Sequence, residues 1–228
     1  MSPMRRIGGK RAGAAAAVAM TVLATAGMAR AEGDDPFTED RNQVGIGMLV
    51  GGYSVGPVGG VAVGMHLDLG RKMGPVKLMG EYDLLSIGET AAEVDVGSAP
   101  TRGVLHRLGL NARYTFADLG GGRYKPIQGE FWVEAGIGRQ RVEWHEGGLL
   151  RRDDVGFGVG AQMNFQINKH SKNPKIFGVH YAFKAVVARS PDADELGPAT
   201  CAGPCDEPSM PSPNDYGLFF NLGLLWGM

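Results

Sequence analysis

From residue 44 onward apolar side chains recur at every second position, the period of a strand with one apolar face. Val44, Ile46, Met48 and Val50 share one face of a first segment, with Gly45, Gly47 and Gly51 on the other. Val61, Val63, Met65, Leu67 and Leu69 make a second. Val76, Leu78, Tyr82 and Leu84 make a third, backed by Lys77, Glu81 and Asp83. The fourth runs from Val104 to Phe116 against Arg107, Asn111 and Arg113. In the fifth, Phe131, Val133, Ala135 and Ile137 keep one phase, and Val142 and Trp144 fall in the other, which predicts a bulge. The sixth sets Val155, Phe157, Val159, Ala161, Met163, Phe165 and Ile167 against Gly, Gln and Asn. The seventh spans Phe177 to Val187 and the eighth Tyr216 to Met228.

The polar face decides between fold classes. A soluble sandwich or lipocalin-like barrel turns its apolar face inward, and its outer face is crowded with Lys and Glu. Here the polar face is Gly, Asn, Gln and a few charges, too small and too sparsely charged to meet water. It fits the inside of a narrow barrel with the apolar face toward lipid. The expectation is an all-β fold, a transmembrane antiparallel up-and-down β-barrel of about eight strands over residues 44–228. With the N-terminus in the periplasm, the two longest connections, 88–102 and 190–214, both fall outside the cell. Residues 70–75 and 168–174 make short periplasmic turns, and 117–129 is a longer one. Tyr114, Phe116, Phe131, Phe165, Phe177 and Trp226 then collect at the periplasmic edge as an interfacial girdle.

The N-terminus implies export. Arg5, Arg6, Lys10 and Arg11 precede an uncharged stretch from Ala12 to Ala29, and Ala29-Arg30-Ala31 has the small-x-small pattern of a cleavage site. Ala, Gly and Thr dominate that stretch, which is weakly apolar for an anchor, so residues 1–31 are read as a cleaved signal peptide and 32–43 as a periplasmic segment. Five of the 23 basic residues and none of the 24 acids lie in 1–31, which leaves 18 bases against 24 acids. That acidic balance gives no footprint for nucleic acid. Cys201 and Cys205, the only cysteines, are expected to close a small disulfide in an exported chain; a metal site would lack a second ligand pair nearby.

The final residues carry a resemblance. Asn221, Gly223, Trp226 and Met228 sit at the spacing of the C-terminal β-signal by which the barrel-assembly machinery recognises outer-membrane barrels. Met228 departs from the usual terminal Phe. The whole chain from 44 resembles the small eight-stranded OmpA/OmpX-type barrels of the Gram-negative outer membrane. The resemblance implies lipid and the assembly machinery as partners, and no appended peptidoglycan-binding domain is expected after the last strand.

Candidate chemistry lies on the polar face. Asp68, Glu81, Asp83 and Glu134 oppose Lys77, Arg107, Arg113 and Lys184, and a symmetric connection over 88–102 places Asp83 opposite Arg107. Balanced charge suits a buried network, because an unpaired buried charge is costly. Trp132, Gln162 and Gln166 add filling, and His66 and His180 face the same way. His106 falls on the lipid-facing phase. Eight-stranded lipid A deacylases use a surface His with a Ser, and no Ser accompanies His106 in the neighbouring sequence. The expected function is therefore a non-enzymatic outer-membrane barrel with a filled interior, no cofactor, and external loops 88–102 and 190–214 available to a partner. A narrow solute channel is the alternative, and a lipid-modifying enzyme a third reading.

Overall fold

Each segment with period-two patterning forms one strand and pairs with the next in sequence. The strands are β1 (Arg41–Val55), β2 (Val58–Met73), β3 (Val76–Glu89), β4 (Arg102–Gly120), β5 (Ile127–Trp144), β6 (Leu149–Ile167), β7 (Lys175–Arg189) and β8 (Asn214–Gly227). All pairings are antiparallel, and β1 closes on β8 from Gln43 opposite Gly227 to Tyr53 opposite Gly217. The result is a closed, all-β, eight-stranded barrel. This computed structural model describes residues 41–55, 58–89, 102–120, 126–145, 148–167, 175–190 and 214–227. Residues 1–31, expected to be a signal peptide, and Cys201, Cys205 and Met228 lie outside the described residues.

Closure removes the sheet edges and commits every strand to one inner and one outer face. The outer face carries the apolar series: Val44, Ile46, Met48 and Val50 of β1, Val61 to Leu69 of β2, and Tyr216, Leu218, Leu222, Leu224 and Trp226 of β8 are all well exposed. The inner face buries Lys77, Glu81, Arg107, Arg113 and Glu130. This is the reverse of a water-soluble protein.

The barrel has two distinct ends. The connections after β1, β3, β5 and β7 lie at one, here termed the loop end; those after β2, β4 and β6, with the first residue of β1 and the last of β8, lie at the terminal end. The turn after β2 is only Gly74-Pro75, closed by Met73 opposite Val76. Gly74 has φ 59°, as the first central position of a tight two-residue hairpin requires. Phe177 contacts Trp226 edge to face at 4.9 Å, and Phe165 lies 6.3 Å from Phe177, all on the outer face near the terminal end.

Two sequence expectations are corrected. The irregularity lies in β4, not β5: Thr115 pairs with Trp132 and Ala117 with Phe131, so Phe116 is the extra residue. β5 keeps one phase throughout, with Trp132, Glu134, Gln140, Val142 and Trp144 all inward. Val142 and Trp144 are apolar because the bore itself is apolar at that level. The connection expected over 117–129 is also shorter, since β4 runs to Gly120 and β5 starts at Ile127.

Candidate functional site: the filled interior

Inward side chains from all eight strands meet in the bore, which is organised in levels. Nearest the terminal end, Lys72 and Lys77 share one carboxylate: their Nζ atoms donate to Glu130 Oε1 and Oε2 at 2.7 and 2.6 Å. Sequence reasoning missed Lys72 and Glu130, although both lie in phase with inward residues, Lys72 with Asp68 and Glu130 with Trp132.

Above them Arg113 donates through Nε and Nη2 to Glu134 Oε2 at 3.1 and 3.0 Å. Its guanidinium lies 3.9 Å over the ring of Trp132, so ion pair and cation–π contact fix the same group. His66 bridges two carboxylates, with Nδ1 on Asp83 and Nε2 2.9 Å from Asp68. A ligand atom from each of His66, Asp68 and Glu81 lies within 4.8 Å of the others, close enough for a small cation. Asp68 is already engaged by Arg113, and Glu81 by Arg107 and Lys184.

Arg107 is the hub of the next level. It donates through Nε to Asp154 at 2.9 Å and through Nη1 to Glu81 at 2.9 Å and Asp83 at 3.3 Å. Asp83 stands directly opposite Arg107 in the β3–β4 register. Lys184 reaches across the bore to Glu81 and lies 3.9 Å from Asp83. Glycines make the room. A Cβ at Gly138 would lie 2.7 Å from Arg107 Nη2, and one at Gly109 2.8 Å from Nη1. At Gly160 it would lie 2.4 Å from the Trp132 ring.

Toward the loop end the filling changes character. Leu49, Tyr53, Val55, Ala62, Leu85, Ile87, Leu105, Val142, Trp144, Leu150, Val186 and Phe219 form one buried apolar cluster. At the rim Arg152 donates to Gln140 at 2.8 Å and to the Ser54 carbonyl at 3.2 Å, and pairs with Asp215. A cavity of about 20 Å³ remains between cluster and ion pairs, lined by Tyr53, Asp83, Leu85 and Arg107 among others. That is space for about one water.

The residues of the expected assembly signal divide between the faces. Asn221 and Gly223 point inward, and a Cβ on Gly223 would lie 2.6 Å from the His180 ring. Trp226 points outward. His106 is also outward, and its Nδ1 is 2.7 Å from the Tyr82 hydroxyl. Among the described residues no serine is hydrogen-bonded to it.

No family model matches the chain. No curated protein matches it either. Similar solved structures include Neisserial surface protein A (NspA), at 12% identity and TM-score 0.45, covering 81% of this chain and 95% of that one. The N-terminal β-barrel domain of Pseudomonas aeruginosa OprF matches at 12% identity and TM-score 0.37, covering 83% and 100%. Ail, the attachment invasion locus protein of Yersinia pestis, matches at 12% and 0.36, covering 83% and 99%. Likeness at this level concerns fold alone.

Proposed function

We propose that this chain is an integral outer-membrane protein whose bore is sealed by its own side chains, and which acts through its loop end rather than by conducting solutes. The observation that carries the reading is the inverted distribution of polarity. The outer wall is predominantly exposed Leu, Ile, Val, Met and Phe, and the charged side chains inside are paired. An apolar surface of that extent is disfavoured in water and suited to lipid, and a closed barrel leaves no backbone edge to satisfy there. Eight strands leave an interior that side chains can fill, and here Arg107, Arg113, Lys184 and Trp132 occupy it.

Orientation follows from the connections. Short turns belong on the periplasmic side and long loops outside, which puts the loop end at the cell surface. The long links between Glu89 and Arg102 and between Arg189 and Asn214 are then the parts available to an external partner. The deciding measurement is conductance of the purified barrel in planar bilayers. Little or no steady current is expected. A large, ohmic current from the wild-type protein would overturn the sealed reading and favour the channel.

A further inference from the structure

The apolar outer wall also carries a group of charged side chains. Near the loop end of β5 and β6, Arg139, Arg141 and Arg151 point outward into what would otherwise be the lipid-facing surface, with side chains of Arg139 and Arg141 73% and 54% exposed. Arg141 stands directly opposite Arg151 in the β5–β6 register. Two like charges in direct cross-strand contact disfavour the pairing unless an anion lies between them. Arg141 is paired with Glu143 at 2.7 Å, and Arg139 only loosely with Asp153 at 3.7 Å. Arg151 has no ion pair among the described residues.

Height along the wall identifies the surroundings. Phe131 lies in the terminal-end girdle of β5, and Arg141 is ten residues further along the same strand. At a rise of about 3.3 Å per residue and a tilt near 40°, that is about 25 Å of height, the thickness of the apolar band of such barrels. The arginines therefore sit where hydrocarbon gives way to the head groups of the outer leaflet. Immediately below them Leu110, Ile137 and Val155 continue the apolar wall. Above this strip a groove of about 460 Å³ is bounded by the three arginines, Gln140, Glu143, Leu108 and the hydrogen-bonded Tyr82–His106 pair.

We propose that this groove binds the phosphorylated head group of an outer-leaflet glycolipid. Arg141 and Arg151 clamp one phosphate between them, Arg139 extends the contact, and the acyl chains lie on the apolar strip below. Guanidinium groups suit the task because their fork matches phosphate geometry. Glu143, itself part of the lining, holds Arg141 at 2.7 Å, and the more distant Asp153 leaves Arg139 free to turn toward the head group. The position favours a lipid over a soluble anion, since head-group recognition and hydrocarbon contact are stacked on one face. The proposal rests on the outer-membrane reading.

The test uses the full chain from residue 32, refolded into phosphatidylcholine vesicles that contain either lipid A or the same lipid with its phosphates removed. After extraction in mild detergent, native mass spectrometry counts retained glycolipid. Lipid A is expected to be retained at least tenfold more than the dephosphorylated form. Arg141→Gln with Arg151→Gln should abolish that difference while leaving heat-modifiable gel migration unchanged. Equal retention of the two lipids by the wild-type barrel would overturn the site, and that comparison does not depend on the variant folding. Full displacement of lipid A by millimolar inorganic phosphate would also overturn it, in favour of a simple anion site. If the wild-type chain does not insert into either vesicle, the membrane reading itself falls, a result distinguishable from insertion without lipid preference.

Discussion

Glu81, Asp83, Arg107 and Lys184 fill the middle of the barrel with charge, whereas a few residues nearer the loop end Leu85, Ile87, Leu105, Val142 and Trp144 fill the same bore with hydrocarbon. The two regions close the barrel by different physics. The apolar cap needs volume: its side chains must occupy space, and dispersion contacts reward close packing without directional demand. The charged levels need geometry, because each buried ion must find its partner or bear the desolvation cost alone. They also do something the cap cannot. Where lipid lies outside and hydrocarbon inside, both faces of a strand are apolar and a slip by one residue meets little hydrophobic penalty. In the charged levels the same slip would aim Arg107 or Glu81 at lipid. There the ion pairs set register, which in a soluble sheet is the work of the buried apolar face.

The difference is largest when the charges are removed. Arg107→Ala with Arg113→Ala leaves Asp154 and Glu134 without their arginine partners and weakens the hold on Glu81 and Asp83. Breaking one buried pair from one side typically costs about 3–5 kcal/mol, and these two share a network, so the sum is not additive. A loss of about 5 kcal/mol is expected, read as a fall in the urea midpoint of the detergent-refolded barrel, together with a measurable leak in planar bilayers. A variant with wild-type stability and no leak would mean that the ion pairs are incidental.

Trp144→Ala attacks the cap instead. Trp144 is almost fully buried within the apolar cluster, and emptying such a site costs about 3–5 kcal/mol, the upper values where the surroundings cannot collapse. A barrel wall is constrained by its ladders, yet its external rim is free to relax, so a value near 3 kcal/mol is expected. Conductance should stay at the wild-type level, because the charged levels below still close the bore. If Trp144→Ala leaks and the arginine pair does not, the cap is the seal and the assignment of roles is reversed.

Much of this was legible in the sequence, and each misreading has a physical cause. Period-two alternation located all eight strands, and the polar face pointed inward because it was too poor in charge for water. Alternation says that two faces differ, however, and is silent where both are apolar. Leu84-Leu85, Leu149-Leu150, Val186-Val187 and Phe219-Phe220 are doublets that send one side chain to each face, and all lie in the loop-end half of their strands. Together they mark an apolar stretch of the bore, although Leu78-Met79 and Leu224-Leu225 do the same nearer the terminal end. Where alternation alone is followed, Val142 and Trp144 fall out of phase with Phe131 to Ile137, which is why the pattern predicts a bulge in β5. The real irregularity at Phe116 left no mark in the pattern, because Thr115, Phe116 and Ala117 fit either phase. Lys72, Glu130, Asp154 and Asp215 were missed for a simpler reason: they lie in phase but beyond the stretches where alternation was clear.

The finest version of the comparison uses conservative substitutions, one in each region. Leu85 is 2% exposed in the cap, and Leu85→Met nearly preserves its volume with a more flexible chain. Such swaps usually cost less than about 1.5 kcal/mol, and here a value near 0.5 kcal/mol is expected, since nothing about Leu85 is directional. Arg113→Lys preserves charge at the same depth, but a lysine has one ammonium where Arg113 has two donors on Glu134 and a planar face over Trp132. Replacing that group should cost about 2 kcal/mol from the lost charge-assisted hydrogen bond and stacking together. Both variants keep the formal chemistry of their region, one apolar and one cationic, so a difference in urea midpoint isolates geometry from charge and volume. If the two midpoints coincide, the charged levels tolerate loose pairing as readily as the cap tolerates repacking, and the claim that ion-pair geometry sets the register loses its support.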